Sequence, residues 1–108
     1  MKSFQNIVLT AISAGFVSSL FPSERKAITA GDVVDKMSED QQYGYLTGAV
    51  DMVIFLHSSN GEGDRAECIL NWFYRDDASA KEIVAVFHNY KDKPAIGILH
   101  VLINRHCK

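Results

Sequence analysis

The chain has 108 residues, a length that accommodates one domain at most. Its 11 Lys and Arg side chains against 13 Asp and Glu give a formal net charge of −2, so no basic surplus indicates a nucleic-acid partner. Apolar residues make up 47% of the chain, which is typical of a globular fold and excludes a disordered or low-complexity protein.

The N-terminal part of the chain differs from the rest. Lys2 and the amino terminus precede an apolar run over residues 7–17 that also contains Ser, Thr and Gly. A membrane-spanning helix needs about 20 apolar residues, so this shorter run is interpreted as the core of a secretory signal peptide. Residues 1–30 are therefore predicted to be a signal peptide, cut after Ser19 or after Ala30. A retained anchor or a plain N-terminal helix is the alternative.

Removal of residues 1–30 leaves 78 of the 108 residues, with 8 basic and 12 acidic side chains and a net charge of −4. The prediction is a periplasmic or secreted protein with no membrane span after processing. A domain this small often needs a covalent or metal staple, because one hydrophobic core barely offsets the conformational entropy of the chain.

Cys68 and Cys107 are the two cysteines of the chain. An exported protein meets an oxidising compartment, which favours a disulfide between them. Such a bond would close a loop of about 40 residues and stabilise the fold by about 4 kcal/mol. A zinc site or a reactive thiol is the alternative, but zinc needs four ligands at paired spacings and His106 beside Cys107 supplies no such motif. No metal and no cofactor are predicted.

Residues 31–108 are predicted to be all-α, a small four-helix bundle closed by one disulfide and preceded by the signal-peptide helix. Ser38 and Gln41 form a capping box that begins the first helix, which ends near residues 58–61. The second helix follows residues 61–64. Ser79 begins the third in a second capping box with Glu82, and Pro94 begins the fourth. A buried strand over residues 96–103 is the alternative for the last element.

The first helix is predicted to bury one broad apolar face, made of Tyr45, Leu46, Ala49, Val50, Met52, Val53 and Leu56. Its other side carries Gly44, Gly48, Asp51 and Phe55. Each glycine inside a helix costs about 1 kcal/mol relative to Ala, so we expect another element to pack closely over Gly44 and Gly48. Simple tolerance of the two glycines is the alternative.

The sequence contains little that indicates a catalytic site. The four histidines (His57, His88, His100 and His106) lie on separate predicted elements, and none forms an i,i+4 metal pair. No nucleophile, base and orienting group converge in the sequence, so the protein is predicted not to be an enzyme.

Binding is the remaining class of function. The candidate partner-binding residues are Asp64, Arg65, Trp72, Tyr74, Asp76 and Asp77, with Tyr43 and Phe55 as further aromatic anchors, while burial in the core is the alternative for Trp72.

The order of these features resembles a known family. It comprises Gly44-Tyr45-x-x-Gly48 on the first helix, Cys68 on the second, Ile83-x-x-Val86-Phe87-x-x-Tyr90 on the third, Pro94, and a last helix that ends at Cys107. Over residues 31–108 this resembles the type VI secretion amidase-immunity family of the Rap/Tai type. Members of that family are small periplasmic helical proteins that bind and block peptidoglycan amidase toxins. The resemblance implies a protein partner, a cell-wall amidase effector.

Family members often carry a second cysteine pair near the first helix, which residues 35–42 lack here.

A different class of function fits the same composition. Acid-stress chaperones of the HdeA type are also small, periplasmic, helical and joined by one disulfide. That alternative implies a homodimer that separates when its carboxylates are protonated.

Overall fold

The computed structural model describes residues 26–108, so most of the predicted signal peptide lies outside the described residues. The described chain is helical and contains no β-strand, which confirms the all-α prediction. Its elements are α1 (Ala30–Lys36), α2 (Glu39–Ser59), α3 (Gly63–Leu70), a π-helical turn (Asn71–Arg75), α4 (Asp77–Asn89) and α5 (Ala95–His106). The prediction of four helices is corrected to five, and the strand alternative for residues 96–103 is wrong because α5 covers them.

The helix missing from the prediction is α1. Thr29 is its N-cap: the Thr29 hydroxyl accepts a hydrogen bond from the Asp32 backbone N–H, and the Asp32 carboxylate accepts one from the Thr29 backbone N–H. That second hydrogen bond, supported by an ion pair with Lys36, lowers the pKa of Asp32 to about 2. Two reciprocal caps explain how a seven-residue helix forms in a segment with little apolar periodicity.

The chain just before α1 is tied to the chain between α4 and α5. Thr29 forms an isolated antiparallel bridge with Pro94, and the Ala30 backbone N–H donates to the Lys93 carbonyl at 2.8 Å. Ala30 is itself completely buried. A cut after Ser19 would keep these contacts, whereas a cut after Ala30 would remove them.

The α2 helix begins where the capping box indicated. The Ser38 hydroxyl accepts from the Gln41 backbone N–H, and the Gln41 amide oxygen accepts from the Ser38 backbone N–H. Leu46 and Val50 are buried, and Ala49 and Val53 pack partly against the core. Met52 and Leu56, predicted to share this face, are instead mostly exposed.

The two glycines of α2 require a second correction. A Cβ atom placed on Gly44 or on Gly48 would meet nothing within 4 Å among the described residues. The close packing expected over them is therefore not made by residues 26–108, because the elements that cover α2 lie on its Leu46–Val50 side. Gly31 in α1 is the glycine at a close approach: a Cβ there would lie 3.0 Å from the Lys91 carbonyl oxygen.

The start of α4 lies three residues earlier than predicted. Asp76 is its N-cap, and its carboxylate accepts from the Ala78 backbone N–H at 3.0 Å. Ser79, the predicted cap, is buried within the first turn, where its hydroxyl donates to the Trp72 carbonyl. The capping box at Ser79 is therefore wrong. Its serine instead satisfies a carbonyl of the π-helical turn.

All six elements contribute to a single core, whose fully buried members are Ala30, Val33, Leu46, Val50, Ile69, Ile83, Phe87 and Ala95, with Phe73, Leu99, Leu102, Ile103 and Cys107 nearly so. The predicted disulfide is present. It joins Cys68 in α3 to Cys107 just after α5, with a Cα–Cα distance of 5.8 Å. The described residues therefore form one covalently closed helical domain, and the disulfide indicates an oxidising compartment.

Reduction should test the contribution of the disulfide. The bond joins two cysteines that are 39 positions apart in the sequence. The free energy of unfolding, measured in urea, should therefore fall by about 4 kcal/mol when the bond is reduced. Mass spectrometry of the protein purified without reductant should show a gain of about two daltons on reduction. A free thiol before reduction, or a loss below about 1 kcal/mol, would contradict this assignment.

Two glycine substitutions should have opposite effects. Gly31→Ala should destabilise the fold by about 1–2 kcal/mol, because the new methyl group presses on the backbone of Lys91. Gly44→Ala, whose methyl group enters open space, should stabilise it by about 0.5–1 kcal/mol. Urea unfolding of both variants measures the contrast, and equal effects of the same sign would refute it.

Candidate functional site

The most exposed apolar surface of a single helix lies on α2. Phe55 is 63% exposed, Met52 is 56% exposed and Leu56 is 51% exposed. With Gly44 and Gly48 on the same side, these residues form what we call the α2 outer face. Monomeric proteins seldom leave large apolar side chains together in water, so such a surface is typical of a binding site.

Charge is segregated along the chain. Residues 38–77, which form α2, α3 and the π-helical turn, carry eight acidic and two basic side chains. Residues 78–108, which form most of α4 and all of α5, carry five basic and two acidic side chains. The α2 outer face therefore belongs to the acidic part of the domain, and its electrostatic potential favours a basic partner.

Tyr74 connects the π-helical turn to α2 beside the outer face. Its hydroxyl donates a hydrogen bond to the Asp51 carboxylate at 2.5 Å. Because the bond stabilises the neutral phenol and Asp51 adds a negative charge, the pKa of Tyr74 is raised to about 12. Tyr74, a predicted binding residue, is 40% exposed, so its ring forms part of the surface while its hydroxyl has a partner within the chain.

Trp72 is half-buried and packs against the core. It is therefore neither a fully exposed binding anchor nor a fully buried core residue. Its indole ring stacks on His106 with ring centroids 5.0 Å apart. The His106 ring also lies 3.2 Å from the Glu82 carboxylate. Trp72 thus packs where α4, α5 and the disulfide meet, and it is separate from the α2 outer face.

The charged candidates lie mainly at helix starts. Asp64 is exposed in the first turn of α3, and Asp77 is exposed in the first turn of α4, where each complements the helix dipole. Asp76 caps α4. Arg65 is half-buried and donates a hydrogen bond to Asn104 in α5. Arg65 and Asp76 therefore have partners within the chain, and the structure does not bring the four residues together into one site.

Met52 and Leu56 are the surface residues that sequence reasoning assigned to the core. A signal was present, since α2 has apolar side chains on both sides: Leu46 and Val50 on one, and Met52 and Phe55 on the other. A helix that is apolar on two sides is either central in its domain or open to a partner on one side. Because Met52 and Phe55 are exposed, α2 is open on that side among the described residues.

The described residues were also searched for metal and membrane sites. Within residues 26–108, no group of three or more His, Cys, Asp or Glu side chains could hold a metal ion. Over the same range, no helix has the length and apolar character needed to cross a membrane.

Comparison of the chain with protein-family models, with curated proteins and with solved structures gave no match.

The Tyr74–Asp51 contact predicts a pH dependence. The pKa of Tyr74 is about 12 in the folded protein against 10.0 as its ordinary value. The contact should therefore stabilise the fold fully below pH 10 and lose this effect as the pH rises from 10 to 12. Tyrosine ¹³C NMR of wild type and Asp51→Asn measures the titration directly. In Asp51→Asn the Tyr74 signal should move at a lower pH, close to 10, and an unchanged midpoint would contradict the assignment.

Proposed function

We propose that this protein is an exported, non-enzymatic binding protein of the amidase-immunity type, which acts in the periplasm or outside the cell. Its partner is a basic protein, of the class of peptidoglycan amidase toxins, and it binds that partner through the α2 outer face. The observation that carries the proposal is the exposure of Met52, Phe55 and Leu56 on one side of α2.

The shape of the α2 outer face supports a helical or flat partner surface. Gly44 and Gly48 lie one turn apart and have no side chain, so a partner backbone can approach α2 closely there. Phe55, about two turns beyond Gly48, supplies a large apolar side chain of the kind that anchors protein interfaces. The face therefore combines a shallow depression with a protruding anchor.

The charge of the domain supports a basic partner. The acidic part, residues 38–77, includes the α2 outer face and carries a net charge of −6 from its eight acidic and two basic side chains. Such a field speeds association with a cationic protein and disfavours acidic competitors. An inhibitor with this field would suit a toxin whose own surface is basic.

The resemblance to the Rap/Tai-type family supplies the class of partner. The features behind the resemblance are the Gly44-Tyr45-x-x-Gly48 turn and the pair Cys68 and Cys107. The two glycines of that turn belong to the α2 outer face, while Tyr45 packs against the core. The disulfide supports export, because it requires an oxidising compartment. Rigidity from the closed ring would also lower the entropy cost of binding.

Binding and inhibition should be measured with the peptidoglycan amidases encoded by the same organism, beginning with any encoded beside this gene. Calorimetry gives the affinity, and release of muropeptides from purified cell walls gives the inhibition. Phe55→Asp should weaken both by at least about 30-fold, as for a hot-spot residue. Failure of the wild-type protein to bind or inhibit every such amidase would refute the proposal.

A matched control separates binding from folding. Val101 on α5 is 55% exposed and lies outside the α2 outer face, so Val101→Asp should leave amidase inhibition unchanged. Gly48→Ala adds a second signature. It should stabilise the free protein by about 0.5–1 kcal/mol while it weakens amidase binding, because the methyl group fills the depression. An equal loss of inhibition in Phe55→Asp and Val101→Asp would contradict the assignment of this face.

One observation favours the acid-stress chaperone as a second candidate function. Carboxylates join separate elements of the fold: Asp35 contacts Lys91 at 3.1 Å, and Glu82 contacts His106 at 3.2 Å. Protonation of carboxylates in acid removes their negative charge. The contacts between the elements would then weaken and apolar surface would become exposed. Circular dichroism and tryptophan fluorescence from pH 7 to pH 2, with a client-aggregation assay, test this function. Retained structure without client protection at pH 2 would eliminate it.

A further inference from the structure

We propose that a cleft between α2, α3 and α5 binds a small carboxylic acid with an apolar body. The cleft has a volume of about 270 Å³ and is separate from the α2 outer face. Drug-sized ligands occupy pockets of about 300–1,000 Å³, so this cleft suits a smaller molecule. We call it the Arg65 cleft, after the cationic side chain that lines it.

An asparagine fixes the polar groups of the Arg65 cleft. The amide oxygen of Asn104 accepts a hydrogen bond from the Arg65 guanidinium, and its amide nitrogen lies 3.0 Å from His100 Nε2. Since the amide nitrogen can only donate, His100 Nε2 is the acceptor and the ring proton resides on Nδ1. His100 therefore retains an N–H donor that Asn104 does not use.

The Arg65 guanidinium has unused hydrogen-bonding capacity. A guanidinium carries several N–H donors, and the one hydrogen bond that it makes among residues 26–108 runs from Nη2 to Asn104. Its Nε atom is buried beyond the reach of a ligand, so the unused donors that a ligand can contact are those of the terminal nitrogens. The terminal edge of a guanidinium matches the two oxygens of a carboxylate, which accept two parallel hydrogen bonds. A carboxylate bound in the cleft would use this edge.

The composition of the cleft lining determines which ligand charge is favoured. His57 lines the cleft, and its Nδ1 lies 2.8 Å from the carboxylate of Glu62, a residue outside the lining. Among the described residues that line the cleft, none is Asp or Glu, although residues 31–108 carry 12 acidic side chains. Arg65 is thus the one Arg, Lys, Asp or Glu side chain among the described residues that line the cleft, which favours an anionic ligand.

The apolar wall of the Arg65 cleft determines the rest of the ligand. Val53 from α2 and Ile96 and Leu99 from α5 face the same space, and most of the lining surface is apolar. Phosphate or sulfate would leave this wall in contact with water, whereas a short aliphatic or aromatic acid covers it. The structure therefore favours a monoanion with one charged end and a body of about six carbons.

Titration of the purified exported protein with sodium hexanoate, followed by ¹H–¹⁵N NMR, tests the proposal. Hexanoate should shift backbone amides near Val53, Arg65 and Leu99. Hexanol has the same body without the charge, and acetate has the charge without the body. Both should bind at least tenfold more weakly. Equal binding of hexanol and hexanoate, or shifts confined to other surfaces, would overturn the proposal.

Substitution of the arginine provides the matched comparison. Arg65→Met keeps the length of the side chain and removes the guanidinium, so hexanoate affinity should fall at least tenfold. Arg75→Met removes an exposed arginine outside the cleft and should leave the affinity unchanged. Equal losses in the two variants would refute a specific site. If Arg65→Met does not fold, the comparison of hexanoate with hexanol on the wild-type protein still decides.

Discussion

The disulfide between Cys68 and Cys107 is the constraint on which the rest of this small domain depends. It closes a covalent ring that contains the π-helical turn, α4 and α5, and it ends in a buried cysteine. The helices α1 and α2 lie outside the ring and are held by non-covalent contacts alone. Their buried residues, among them Ala30 and Leu46, must therefore supply the stability of the N-terminal part. Local opening should begin there, and the ring should remain folded longest.

Features governed by short-range rules were predictable from the sequence. Ser38 and Gln41 cap α2 as the pattern indicated, and Pro94 immediately precedes α5, where the ring of a proline is compatible with the start of a helix. The cysteine pairing followed from there being two cysteines in a chain that was predicted to be exported. Each of these inferences needed only neighbouring residues or a count.

Features governed by tertiary contacts were not predictable. Asp76 and Ser79 both satisfy the rules for a helix cap, and the choice between them depends on burial of the Ser79 hydroxyl against the Trp72 carbonyl. The exposure of Met52 likewise depends on packing: the core lies against the Leu46–Val50 side of α2, and Met52 lies on the other side. The hydrogen bond from Arg65 to Asn104 could be found only from three-dimensional coordinates, because Asn104 lies 39 residues further along the chain.

The unequal distribution of charge gives the domain an electric dipole. Residues 38–77 supply its excess of negative charge, and residues 78–108, with five basic and two acidic side chains, supply its excess of positive charge. A charged surface exerts a torque on such a molecule before contact, so approaching molecules are oriented during diffusion rather than after collision. At low ionic strength, a cationic surface would meet α2 first and an anionic surface would meet α4 and α5 first. Since salt screens this field over about 8 Å at physiological ionic strength, the ionic composition of the surroundings would govern how often an encounter is productive.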